Sequence, residues 1–241
     1  MIKKDNIKKD TSPLIHQRDK IKNYLTIKEL NWSEKQKEFI KLALDKKTKV
    51  IFITGPAGSS KSILAVYSAL KLLNEKRISD IIYIRSAVES SEKGLGYLPG
   101  SLDEKMHFYN LPFLEKLDEL LPKNEIQILQ KDERVKMFPV NYARGLNWNA
   151  KCVIMDEAQN SSHKEIVTIL TRLGEFSKCF ILADPMQTDL FKNQAGSFER
   201  LSIFLDDDES KEQGIFAFAF SDEDVKRSAL VKYLTKKLKK L

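Results

Sequence analysis

Cysteine is scarce in this 241-residue chain: Cys152 and Cys179 stand alone, each inside an apolar run where a small buried thiol packs well. Two such residues exclude a disulfide framework and offer no zinc-ligand spacing. Glycine and proline are also few, 9 and 7, which excludes collagen-like and low-complexity chains. Long hydrophobic runs are missing. The longest (VIFI, IIYI, VIM, FILA) fall far below the roughly 18 residues needed to cross a bilayer, so no membrane partner is expected. The opening MIKKDNIKKD has charges where a signal peptide has its apolar region, which points to the cytoplasm. The three histidines, His16, His107 and His163, share no ligand spacing with one another or with the cysteines and receive no role.

Apolar residues at 42% and charged residues at 31% describe a chain with a packed core, long enough for one large or two small domains. Lys plus Arg number 41 against 34 Asp plus Glu, a net charge of +7 that favours a polyanionic partner without proving one. Part of the excess sits near the C-terminus, at Lys232, Lys236, Lys237, Lys239 and Lys240. Ser221 followed by Asp222, Glu223 and Asp224 reads as an N-cap with an acidic first turn, so those lysines would complement the negative end of the same helix. The acidic run Asp206 to Glu209 reads as a solvated loop.

Residues 1–32 form a polar lead-in, with Pro13 preventing a continuous helix, and are expected to be a tail or accessory segment ahead of one domain at 33–241. From Ser33 an amphipathic helix (Phe39, Ile40, Leu42, Ala43) precedes a short apolar run, Val50 to Thr54. A helical stretch from about Ser62 to Leu73 follows, then a run at Ile81 to Ile84, a Gly/Pro-rich segment at Gly94 to Gly100, and a helical region through Leu121. Runs at Val153 to Met155 and Phe180 to Ala183 flank another helical pattern (Ile166, Ile169, Leu170, Leu173). Continuous apolar runs alternating with amphipathic helices predict an α/β fold with a parallel central sheet flanked by helices, because such strands have no solvent face. Ile215 to Phe220 instead alternates, with Phe216, Phe218 and Phe220 on one face, and suits a late edge strand.

GPAGSSKS lies where the first buried strand ends and a helix begins, the position of a phosphate-binding loop. Gly55, Pro56, Ala57, Gly58, Ser59 and Ser60 would bring backbone amides to phosphate oxygens. Lys61 would reach the β- and γ-phosphates, and the Ser62 hydroxyl would ligate Mg²⁺. The usual pattern has glycine where this chain has Ser60. VIMDEAQN ends a second apolar run in two carboxylates: Asp156 suited to the metal's hydration shell, and Glu157 suited to polarising a water in line with the γ-phosphate. LADPMQTDL puts Gln187 at a third strand end, where an amide can sense the γ-phosphate or orient the water, or serve as an ordinary loop residue.

In these residues the chain resembles the PhoH-type ATPases, whose core is similar to the first motor domain of superfamily 1 helicases. The resemblance runs from about Ser33 to the C-terminus and is carried by GPAGSSKS, YIRSAVESSEKGLGYLPGSLDEK, YARGLNWNAKCVIMDEAQN, LTRLGEFSK, ADPMQTDL and SDEDVKRSALV. The chain departs from the family at Ser60, at Ala183 before Asp184, and in the GSF of Gly196 to Phe198. The resemblance implies a single RecA-like P-loop NTPase domain that hydrolyses ATP with Mg²⁺. It also implies that Gln36, 19 positions before Gly55, reads the adenine edge. Ser33-Glu-Lys-Gln36 is equally a capping box, so both readings stay open. Arg227, in DVKR, and Arg144, in YARG, are implied contacts to the γ-phosphate of a nucleotide on a neighbouring subunit, with plain surface arginines as the other reading. One motor domain per chain points to a homo-oligomer, expected to be a ring, and to single-stranded RNA or DNA as partner. Two other functions stay in view: a nucleotide-gated nucleic-acid-binding protein that cycles slowly or not at all, motivated by Ser60 and Ala183, and a small-molecule kinase, to which Glu157 and Gln187 are poorly suited.

Overall fold

The computed structural model describes residue 21, residues 24–85, 102–137, 140–143, 145–187 and 196–225, and positions 230, 233 and 237. The first helix, α1 (Glu34–Leu44), starts at a formed capping box: Ser33 and Gln36 bond each other's backbone N–H. β1 (Val50–Thr54) leads through the phosphate loop into α2 (Lys61–Asn74), and β2 (Asp80–Arg85) follows. Beyond lie α3 (Leu102–Leu120), α4 (Lys123–Lys131) and the short β3 (Val135–Met137). β4 (Lys151–Asp156), α5 (His163–Leu170), β5 (Lys178–Ala183), α6 (Ser197–Phe204), α7 (Asp208–Glu212) and β6 (Ile215–Ala219) complete the order.

All six strands are parallel, in the order β3-β2-β4-β5-β1-β6. Side chains alternate between two cores. Ile51, Ile53, Ile81, Tyr83, Cys152, Ile154, Phe180 and Leu182 pack under α1 to α4. Val50, Phe52, Ile82, Ile84, Val153, Met155, Cys179 and Ile181 pack under α5 and α6. Strands buried on both faces in this way are why the runs read as continuously apolar. This is the RecA-like α/β architecture expected from the sequence.

β6 is an edge strand against β1, and its period-two pattern is real: Phe218 and Phe220 are buried while Ala217 and Ala219 are exposed. The other edge, β3, was not legible, since three residues with Lys136 at their centre give no run. Asp206 to Glu209 is not a plain loop. The Asp207 carboxylate accepts the Ser210 N–H at 2.7 Å and starts α7, an N-cap with an acidic first turn. Residues 24–32, ahead of Ser33, lie against the core through Leu25, Ile27, Leu30 and Trp32. They are tied down by Lys28 N–H to Leu120 O (2.8 Å) and Leu25 N–H to Asn74 Oδ1 (2.7 Å). Among the described residues no helix is long and apolar enough to cross a membrane.

Candidate functional site

Sheet order decides which strand ends meet. β5 lies between β1 and β4, with Thr54 opposite Ala183, and β4 runs beside β2, with Asp156 opposite Arg85. The loops after β1, β4 and β5 therefore emerge side by side at the carboxyl edge, where parallel sheets hold their ligands. A cavity of about 410 Å³ opens there, lined by Ala57, Gly58, Ser60, Lys61 and Ser62 from the phosphate loop, Asp156, Glu157 and Gln159 after β4, and Asp184 and Gln187 after β5. Lys116 and Glu119 of α3 complete its wall.

The loop itself is tightly held. Ser59 is fully buried and its hydroxyl donates to Pro56 O at 2.8 Å. Lys61 Nζ donates to the carbonyls of Gly55 (2.5 Å) and Pro56 (3.0 Å). A Cβ on Gly55 would lie 2.7 Å from Phe220 Cβ, so only glycine lets the chain after β6 pass this close. Ser60 has φ 69° and ψ 19°, the left-handed region that favours glycine. Serine thus holds here a backbone conformation that is open to glycine, at a conformational cost.

Asp156 is 8% exposed and both carboxylate oxygens are bonded: Oδ2 accepts the Tyr83 hydroxyl at 2.7 Å and Oδ1 accepts the Glu157 N–H at 3.0 Å. Burial, and then the charge of Asp156, pushes the Tyr83 phenol far above its ordinary range, so it remains a donor. Glu157 is left-handed at φ 56°, an uncommon state for a non-glycine residue that concentrates at functional sites. Its carboxylate accepts from Gln159 Nε2 at 2.6 Å and lies 3.8 Å from Arg85 Nη2. Gln159 also takes the Asp184 N–H on its Oε1 (3.0 Å) and donates to Gln187 O (3.3 Å), joining the loops after β4 and β5.

The structure brings together Ala57, Gly58, Ser60, Lys61, Ser62, Asp156, Glu157 and Gln187 around one cavity, while Gly55, Pro56 and Ser59 of the same loop are not in its lining. Gln36 stands apart from that lining. Its Oε1 is used in the capping box, while its Nε2 is buried with no hydrogen-bond partner among the described residues. Arg144 and Arg227 lie outside the described residues. Tyr83, Arg85, Lys116, Glu119, Gln159 and Asp184 were not singled out from the sequence. Gln159 and Asp184 sit inside the DEAQN and ADPMQTDL motifs and could have been found there. Nothing local marks Tyr83 or Lys116.

Comparisons with known proteins agree with this architecture. The family model described as PhoH-like protein matches residues 26–239. A PhoH-like protein of Synechocystis sp. is 34% identical over 197 residues, 82% of this chain and 58% of that protein. Protein PhoH of Escherichia coli strain K12 is 32% identical over 201 residues, 82% of this chain and 54% of that protein. The chain spans a little over half the length of these curated relatives. Among solved structures, the large terminase of a thermophilic bacteriophage superposes with a TM-score of 0.54 at 11% identity, over 86% of this chain and 50% of that one, a likeness of fold alone.

Proposed function

The chain belongs to the PhoH-like protein family, and on that premise we propose that it is a Mg²⁺-dependent ATPase. The observation that carries the reading is the single cavity shared by Lys61, Ser62, Asp156, Glu157 and Gln187. They come from three separate strand ends and a helix start, and together they supply a phosphate cradle, a metal carboxylate and a water base.

The donor set suits magnesium. A Ser62 hydroxyl and an Asp156 carboxylate are hard oxygen donors, and Mg²⁺ is characteristically held by one or two carboxylates plus substrate phosphates. When bound, the ion supplies charge neutralisation on the phosphates. The protein's own residues do the rest. Lys61 exchanges its bonds to the Gly55 and Pro56 carbonyls for phosphate oxygens, a cation already aimed at the loop. Tyr83 and the Glu157 N–H hold Asp156 in one orientation. Glu157 takes the proton of the attacking water, and Gln159 keeps that carboxylate in register with the β5 loop that carries Gln187. Gln36 is fully buried outside the cavity lining, and its Nε2, without a partner among the described residues, is the one observation that favours an adenine contact over the capping box alone.

Of the two departures that motivate the slow or non-cycling alternative, Ser60 adopts the left-handed backbone that glycine favours and Ala183 is buried at the end of β5. We further propose a homo-oligomer that works on single-stranded RNA or DNA in the cytoplasm, with Arg144 or Arg227 completing a neighbour's site. The test of the hydrolase reading is phosphate release from ATP with and without Mg²⁺. Lys61→Ala should weaken nucleotide binding, and Glu157→Gln should lower turnover by about 10²–10⁴-fold with binding retained. Glu157→Gln turnover above roughly a tenth of wild type would remove Glu157 from the role of base.

A further inference from the structure

One wall of the phosphate cavity comes from an element that no phosphate-loop pattern includes. α3 buries Phe113, Leu117 and Leu120 against the core and packs beside α2, the helix whose first residue is Lys61. Phe113 stacks on Tyr83, ring centroids 4.6 Å apart and planes 15° apart, and Tyr83 in turn bonds Asp156. That stack fixes where α3 stands relative to the metal carboxylate. One turn beyond Phe113, Lys116 reaches the cavity wall.

Lys116 is half-buried and has no partner among the described residues, which sets it apart from the other half-buried lysines there. Lys35, Lys71 and Lys151 pair with carboxylates, Lys61 bonds the loop carbonyls, and Lys76 lies over the Tyr24 ring. Glu119, three residues on and lining the same cavity, does not pair with it. A lysine in the wall of an open cavity, with its stem half-buried and no carboxylate paired to it, has an ammonium available to an anion when the site is filled. Gly58, Ser60, Lys61 and Ser62 of the loop line this cavity, which on the ATPase reading makes it the polyphosphate end of the site, and its carboxylates Asp156 and Glu157 mark where the terminal phosphate belongs.

We propose that Lys116 is a second phosphate-contacting cation, supplied by the same subunit, which binds the terminal phosphate of a nucleoside triphosphate. The inference rests on the ATPase reading above. Lys116 senses what Lys61 does not distinguish as sharply, the presence of the third phosphate, and it carries that state into α3.

The experiment measures the affinity of the full-length chain for Mg²⁺-AMP-PNP and Mg²⁺-ADP by calorimetry, together with melting temperature, for wild type, Lys116→Gln and Lys116→Arg. The proposal expects Lys116→Gln to lose about tenfold or more in AMP-PNP affinity with ADP affinity within about twofold of wild type, the size of one charge-assisted hydrogen bond. Lys116→Arg should restore most of the difference, and neither variant should melt differently. Unchanged affinities, or an equal loss for both nucleotides, would assign Lys116 to neutralising the neighbouring carboxylates and overturn the proposal. Wild type binding neither nucleotide would instead sink the ATPase reading beneath it, and this inference with it.

Discussion

The Tyr83 hydroxyl donates a 2.7 Å hydrogen bond to Asp156 Oδ2, so the carboxylate best suited to Mg²⁺ is held by the neighbouring strand as well as its own. The tyrosine is 2% exposed and its ring lies flat on Phe113, which leaves the hydroxyl little freedom to turn away. Tyr83→Phe keeps the ring stack and deletes the donor. The Mg²⁺ concentration giving half-maximal nucleotide binding should rise several-fold, since losing a partner of a buried carboxylate costs about 1–3 kcal/mol. An Mg²⁺ titration of fluorescent-nucleotide binding reads this directly; an unshifted midpoint would show that Asp156 is oriented by β4 alone.

Ser60→Gly should stabilise the protein by up to about 1 kcal/mol, because the left-handed conformation penalises serine more than the added flexibility of glycine costs the unfolded chain. Nucleotide affinity should hold or improve. Urea unfolding of both proteins checks the first statement, and a large loss of ATP affinity would mean that the Ser60 side chain makes a contact of its own.

Gln36→Ala separates the two uses of that amide. Losing the capping box should cost about 1 kcal/mol of stability, since Ser33 N–H loses its 3.0 Å acceptor. If the orphaned Nε2 also reads adenine, preference for ATP over GTP should fall in the same variant. Reduced stability with unchanged selectivity would confine Gln36 to its helix.

Lys178 provides a pH signature. It is 5% exposed and donates to Asp45 O and Thr48 O, both at 2.5 Å; burial, and then the positive charge of Arg77, lowers its pKa from 10.5 to about 8. Between those values the unfolded chain binds more protons than the folded one, so this residue's contribution to stability rises as pH rises from about 8 towards 10. Melting curves of wild type and Lys178→Met across that window should diverge in favour of wild type. Parallel curves would mean that Lys178 titrates normally.

Assembly is tested by mixing. Inactive Glu157→Gln chains combined with inactive Arg227→Ala chains, or with Arg144→Ala chains, should recover some ATPase activity if an arginine of one subunit serves the site of the next, a contribution that can reach about 10³-fold. No recovery, with a monomer of full activity by light scattering, would dispose of the arginine in trans and the ring.

The sequence by itself determined the class of fold and which loops carry the polar residues that line its cavity. Short apolar runs such as Val50 to Thr54 and Val153 to Met155, bounded by turn residues, read as strands covered on both sides and are so, and GPAGSSKS and DEAQ place their polar residues next to one another along the chain. The α2 start, the capping box at Ser33 and the edge character of β6 were legible for the same reason, since each depends on residues within a few positions of one another. Ser221, by contrast, caps only a 3-10 turn, Asp222–Asp224, that ends at Val225, and Lys232, Lys236, Lys239 and Lys240 lie outside the described residues. What only the tertiary structure decided is which distant residues share the site. Strand order put β5 between β1 and β4 and β2 beside β4, and so set Tyr83 and Arg85 against Asp156 and Glu157, more than seventy positions away. The packing of α3 on α2 then brought Lys116 to the cavity lined by Lys61 and Asp156. Such pairings arise from side-chain packing between elements, which leaves no trace in local periodicity, so a tyrosine in an apolar strand and a lysine on a helix look like core and surface until the sheet is assembled.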